Sequence, residues 1–156
     1  MIELTDIPGG AVAPDRQVVS ATRSCWLPST VRSAGRARAL LRDLLSEADT
    51  SQELFEAAEL IVSELVANAV THARTPGRLI AVVLAISAGR LRIEVHDASD
   101  RPAELPLGAG IDSESGRGLL LVDALAVVWG CSPRPGGVGK FVWAVVGPVE
   151  GESCVG

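Results

Sequence analysis

The 156-residue sequence predicts an α+β protein, a sandwich with helices covering one face of a sheet. Three observations carry that prediction. Apolar residues recur at spacings of three and four through three segments, the pattern of helices with one buried face. Short β-branched or aliphatic runs flank those segments and read as strands. The resulting order is strand, helix, helix, strand, strand, loop, helix, strand, strand, without an internal repeat.

Residues 1–17 mix Pro8, Gly9, Gly10 and Pro14 with single apolar residues at no period, and are expected as a mobile arm ahead of the fold. Residues 20–27 alternate loosely, include Trp26 and suit an edge strand that Pro28 ends. Ser29 or Thr30 is then placed to cap a helix over 31–48. That helix sets Val31, Ala34, Ala37, Leu40, Leu41, Leu44 and Leu45 on one side and Arg32, Arg36, Arg38 and Arg42 largely on the other. Ser51 and Glu53 open a second helix, whose stripe of Leu54, Ala58, Ile61, Leu65 and Ala69 runs to Ala73. Residues 79–86 and 91–95 read as a hairpin joined through Ser87, Ala88, Gly89 and Arg90. Over 97–113 all periodicity is lost, with Pro102, Pro106, Gly108 and Gly110, in a loop longer than a connection needs. Helical spacing resumes over 116–127 through Leu119, Leu120, Val122 and Leu125. Residues 127–131 and 141–146 form the last strand pair around a turn-rich 133–139. One domain over 18–148 and a tail over 149–156 complete the expected organisation.

Composition narrows the function classes. Apolar residues make up 47% and charged residues 21%, the balance of a globular chain. A net charge of -5 with no run of Lys or Arg disfavours a direct nucleic-acid partner. The longest uncharged apolar run, 79–86, falls short of the roughly 20 residues of a membrane span, and no basic segment followed by an apolar one opens the chain. Cys25, Cys131 and Cys154 lack metal-ligand spacing, so a cytoplasmic protein without a disulfide framework is expected.

Glu64 and Asn68 stand four residues apart on one helix face, with Thr71 and His72 a turn further. An amide oxygen there can ligate Mg²⁺ while a carboxylate handles a proton. A solvated helix face is the other reading of that pair taken alone. Asp97 closes the strand run Glu94-Val95-His96-Asp97 and precedes the turn-rich Ala98-Ser99-Asp100-Arg101-Pro102. An Asp at a strand exit can accept a hydrogen bond from an exocyclic amine such as that of adenine, or simply form a turn. Ser115-Gly116-Arg117-Gly118-Leu119 is a glycine-rich turn at a helix start, where backbone amides and the helix dipole favour phosphate. An ordinary tight turn is its plainer reading.

In order and spacing the three segments resemble the nucleotide-binding boxes of the GHKL ATPase superfamily, and most closely those of the bacterial anti-sigma-factor serine/threonine kinases. The first box, Ser-Glu-Leu-x-x-Asn-Ala-x-x-His-Ala, is matched by Ser63-Glu64-Leu65-Val66-Ala67-Asn68-Ala69-Val70-Thr71-His72-Ala73. The second, Asp-x-Ser-x-x-Pro, is matched by Asp97, Ser99 and Pro102, and the third, Gly-Arg-Gly-Leu, by Gly116, Arg117, Gly118 and Leu119. The resemblance spans about residues 20–147. It implies a Bergerat-type two-layer sandwich, with three helices on one face of a mixed, mostly antiparallel sheet. It also implies ATP and Mg²⁺ as cofactors, Glu64 as general base, Asn68 as Mg²⁺ ligand and Asp97 as the adenine-reading carboxylate. Ser99 and Pro102 would complete the base-binding box, Gly116 to Leu119 would lie against the phosphates, and 100–115 would be the ATP lid. Arg117 would add charge to the triphosphate or stand in solvent, and His72 would pack at the helix end. The implied partners are an anti-anti-sigma-type antagonist protein phosphorylated on serine, a sigma factor, and a second copy in a homodimer.

Two positions depart from the pattern. Ser99 stands where the wider superfamily has Gly, and Lys140 follows Gly139 where many relatives have Gly-Thr. A hydroxyl that assists adenine binding is thus missing, and Lys140, the sole lysine, is expected as an exposed strand residue. The chain lacks a phosphoacceptor His motif, which argues against a histidine kinase. A nucleotide-gated binding module without turnover is the alternative, against which the retained Glu64 counts.

Overall fold

Eight elements form in the order β1 (Val19–Pro28), α1 (Ser33–Ser46), α2 (Gln52–His72), β2 (Leu79–Ser87), β3 (Arg90–Asp97), α3 (Glu114–Leu125), β4 (Val128–Pro133) and β5 (Lys140–Val146). They belong to a computed structural model that describes residues 19–48, 50–72, 77–99 and 114–147. The strands order as β1-β2-β3-β5-β4. All four pairings are antiparallel, where the expected sheet was mixed and mostly antiparallel.

Strand residues alternate between two faces, and the register aligns them across the sheet. Leu27 pairs with Ile80, Val82 with Val95, Val95 with Val142, and Ile93 with Ala144. This face meets Leu41, Leu44, Ile61, Val62, Leu65 and Val66 of α1 and α2 in one apolar core. α2 is the central helix, packed on α1, α3, β3 and β5. The three helices therefore share one face, as the sequence predicts. Among the described residues no helix is long and apolar enough to cross a membrane.

Both first helices begin on serine, but only the second as expected. Ser51 Oγ accepts the Leu54 backbone N–H at 3.1 Å, an N-terminal cap for α2. Neither Ser29 nor Thr30 occupies the N-cap position of α1. Its N-cap position falls on Arg32, which is in a helical conformation with no side-chain bond. The Ser33 hydroxyl donates to the Pro28 carbonyl, tying the helix start to the exit of β1, and the Ser33 N–H donates to the Thr30 carbonyl at 3.0 Å. The hairpin turn between β2 and β3 places both Ala88 and Gly89 at positive φ (50° and 75°), the sense of turn that matches strand twist.

The helix-free face carries an unusual row. Register places Trp26, Ala81, His96 and Phe141 side by side across β1, β2, β3 and β5. The His96 ring stacks on Phe141 with centroids 4.8 Å apart, and neither ring nitrogen has a hydrogen-bond partner among the described residues. Burial, aided by the Arg134 and Arg92 charges, lowers the His96 pKa from its ordinary 6.5 to about 4. Glu94 beside it is buried too, with Arg92 at 3.6 Å, and burial pushes its pKa up.

Acidification should therefore destabilise the fold through His96. Between pH 6.5 and pH 4 the unfolded chain binds a proton on this residue that the folded chain refuses, so stability falls as pH drops through that window, by up to about 3 kcal/mol. Glu94 opposes this, since the folded chain takes its proton first. His96→Phe removes the histidine contribution, so its melting temperature should fall less between pH 7 and pH 5 than that of the natural protein. Parallel pH profiles for the two proteins would refute the assignment.

Candidate nucleotide site

Connectivity brings the three boxes to one end of the sandwich. α2 ends at His72 and β2 starts at Leu79, so the end of α2 lies near the beginning of β2. That part of β2 pairs with the end of β3 through Ala81 and His96, and the end of β3 pairs with the start of β5 through Asp97 and Lys140. α3 packs along α2 and is held to β4 by the Trp129 indole, whose Nε1 donates to Asp123 Oδ1 at 2.8 Å.

On α2, Asn68 is 4% exposed, and neither its Oδ1 nor its Nδ2 has a hydrogen-bond partner among the described residues. A buried amide left unpaired costs about 1–3 kcal/mol, so such groups usually mark a ligand, ion or water position. Glu64 lies one turn earlier and is half-buried. The rest of the expected polar strip does something else. Thr71 is exposed and donates its hydroxyl to the Ala67 carbonyl at 2.8 Å. Ser63 donates to the Glu59 carbonyl at 2.7 Å and accepts from Arg38 Nη1 at 3.2 Å, tying α2 to α1. The His72 side chain lies outside the described residues.

The glycine box sits differently from expectation. Gly116, Arg117, Gly118 and Leu119 are inside α3, which starts at Glu114, and do not form a turn ahead of it. Helical geometry begins earlier than the glycines suggest, so the first-turn N–H groups without a helical partner are those of Glu114, Ser115 and Gly116, and the rest of the box follows them. A Cβ on Gly118 would lie 2.5 Å from Glu64 Oε2, so this glycine lets α3 close directly onto that carboxylate. Arg117 is exposed and Leu119 is buried.

Asp97 is 1% exposed at the end of β3. Its Oδ1 accepts the Ser99 backbone N–H at 2.7 Å, a local turn at the strand exit. Lys140 is the main correction to the sequence reading: it is 3% exposed, and its Nζ lies 2.9 Å from Asp97 Oδ2 and 3.1 Å from Oδ1. β5 starts at Lys140, and strand alternation puts it on the same face as Val142, Ala144 and Val146. That alternation was the signal available in the sequence. A charge on this face requires an opposite charge, and Asp97 is its register partner. Gly139 has φ +107°, and a Cβ there would collide with the Asp97 carbonyl oxygen, so only glycine fits between the two residues. Pro102 and the expected lid over 100–113 lie outside the described residues.

The residues present fit a Mg-nucleotide. No cluster of three or more His, Cys, Asp or Glu capable of holding a metal exists among the described residues. Mg²⁺ does not need one, because it keeps waters and is bound through one or two protein oxygens plus substrate phosphates. The unpaired Asn68 amide could supply such an oxygen, and the start of α3 could supply N–H donors for phosphate.

Comparison with known proteins agrees with this arrangement. The histidine kinase-like ATPase domain family matches residues 27–144, and the chain belongs to that family. Nucleotide binding is what this membership implies. A solved structure of the RsbU and RsbW domains of Rv1364c from Mycobacterium tuberculosis has a similar fold, with a TM-score of 0.59 and 23% identity, covering 83% of this chain. The chain spans 34% of the length of that polypeptide. No curated protein matches the chain.

Proposed function

We propose that this chain is a cytoplasmic Mg-ATP-dependent serine/threonine protein kinase of the anti-sigma type. It transfers the γ-phosphoryl group to a serine of a small anti-anti-sigma-type antagonist protein and sequesters a sigma factor. The observation that carries the proposal is the meeting of Gly118 with Glu64, one turn from the buried, unpaired Asn68 amide. A pure nucleotide binder has no need of a half-buried carboxylate held against the start of α3. The RsbW domain named in the similar structure supports the same reading.

Phosphoryl transfer asks a protein mainly for positioning and charge stabilisation. In the proposed reaction the serine oxygen forms a bond to the γ-phosphorus as the bond to the leaving phosphate oxygen breaks, and the Glu64 carboxylate takes the serine proton. Mg²⁺, when bound, neutralises charge on the phosphate oxygens. Asn68 holds its oxygen at that position, the first-turn N–H groups of α3 orient the phosphates, and Asp97 meets the base.

Mg-ADP should raise the melting temperature, because a ligand of the native state alone adds RT ln(1 + [L]/Kd), about 2.7 kcal/mol at a hundredfold excess. An unchanged melting curve at millimolar Mg-ADP would dispose of nucleotide binding. Labelled Mg-ATP should mark a cognate antagonist protein on serine. Binding without any labelling would favour the nucleotide-gated module instead.

Gly118→Ala probes the same contact. Alanine favours helix by up to about 1 kcal/mol over glycine, and the atom it would strike is the far end of a flexible side chain, so stability should hold or rise. The Glu64 carboxylate must move, and labelling of the antagonist should drop by roughly tenfold or more at near-normal ATP affinity. Full activity in a stable Gly118→Ala protein would show that Glu64 is not held for catalysis.

A further inference from the structure

Lys140 and Asp97 form a buried ion pair whose hydrogen-bonding capacity is not used up. A carboxylate offers about four acceptor positions and an ammonium three donors. Among the described residues, Asp97 Oδ1 receives both the Ser99 N–H and Lys140 Nζ, while Oδ2 receives Nζ alone. One acceptor position on Oδ2 and at least one N–H of Lys140 therefore remain. The ammonium shows no other partner among the described residues, and its side chain is 4% exposed.

We infer that Lys140 sets the base selectivity of this site by turning an acceptor-only carboxylate into an adjacent donor and acceptor, so that 6-oxopurine nucleotides bind alongside ATP. The inference rests on the reading of Asp97 as the residue that meets the base. A bare carboxylate accepts from the 6-amino group of adenine and repels the 6-oxo group of guanine or hypoxanthine, since both would be acceptors. With Lys140 present, the 6-amino edge gives its N–H to Oδ2 and takes the ammonium N–H at N7. The 6-oxo edge takes the ammonium N–H at O6 and gives its N1–H to Oδ2. Both edges present an acceptor followed by a donor in the same sense, so a shift of the base by one position along its edge serves the same pair of protein groups. The positive charge beside Asp97 also weakens the pull on an amine and strengthens that on a carbonyl.

The test measures binding of Mg-ATP, Mg-GTP and Mg-ITP to the full chain by calorimetry, for the natural protein and for Lys140→Met and Lys140→Gln. In the natural protein, GTP and ITP should bind within about tenfold of ATP. Lys140→Met keeps the length of the side chain but no donor, and should widen the preference for ATP by roughly tenfold or more. Lys140→Gln keeps an N–H donor and should stay near the natural ratio. A natural preference for ATP beyond about tenfold overturns the inference without any variant, so a misfolded Lys140→Met protein does not protect it. Equal ratios in the natural protein and Lys140→Met also overturn it, placing the ion pair away from the base. Failure of all three nucleotides to bind the natural protein overturns the nucleotide-site reading itself.

Discussion

Glu64→Ala is expected to leave ATP affinity within a few fold while lowering phosphoryl transfer by roughly 10²-fold or more, the usual scale for loss of a general base. The carboxylate stands on α2 against Gly118 of α3, so truncation removes an acceptor from the site and leaves the apolar core that includes Ile61, Leu65 and Val122 in place. Fold and binding should therefore survive, which makes the transfer rate the informative measurement. Calorimetry with Mg-ATP and phosphate labelling of the antagonist protein, made on the same preparation, separate the two effects. A variant that labels at the natural rate would remove Glu64 from the chemistry. One that loses binding as well would mean the residue holds the cleft open and does not move a proton.

The layering was legible in the sequence because it rests on periodicity. The stripe of Leu54, Ala58, Ile61, Leu65 and Ala69 lies against the sheet as predicted, and the short runs at 79–86 and 91–95 became β2 and β3, the latter extended to Asp97. What failed was local satisfaction of polar groups, which depends on neighbours distant in sequence. The N-cap position of α1 falls on Arg32, and Ser33 ties the helix start to β1 because the Pro28 carbonyl lies within reach of its hydroxyl. Lys140 looked like a surface residue because lysine usually is one, yet strand alternation outweighs that tendency once a carboxylate sits opposite. Removing one partner of such a pair leaves the other charge buried and unpaired, at a cost of about 3–5 kcal/mol.

The candidate site divides along the same line. Glu64 and Asn68 could be placed on one helix face by counting residues, and the box pattern gave Asp97 and the glycines their order. Counting could not show that Gly118 is needed for contact with Glu64, nor that α3 starts two residues ahead of the glycines, at Glu114. The helix-free face was equally hidden. The row of Trp26, His96 and Phe141 is assembled by register across separate strands, and no single segment announces it.

Asn68→Ala should fail in a different way from Glu64→Ala. The amide is buried with both polar atoms unpaired, so its removal takes away a desolvated group and leaves no partner stranded among the described residues. The variant should fold at least as stably as the natural protein in the absence of nucleotide. Binding should suffer instead, because in the proposed site this amide oxygen would hold the Mg²⁺ that accompanies the phosphates. In the natural protein, adding Mg²⁺ should tighten ATP binding, and in Asn68→Ala that gain should vanish, with overall affinity lower by roughly 10²-fold, about 2.7 kcal/mol. Calorimetric titration of ATP with and without Mg²⁺, on both proteins, reads the difference directly. Retention of the Mg²⁺ gain would reassign the unpaired amide to water or to a base contact. A large fall in unliganded stability would mean that Asn68 holds the helix end in place of a ligand.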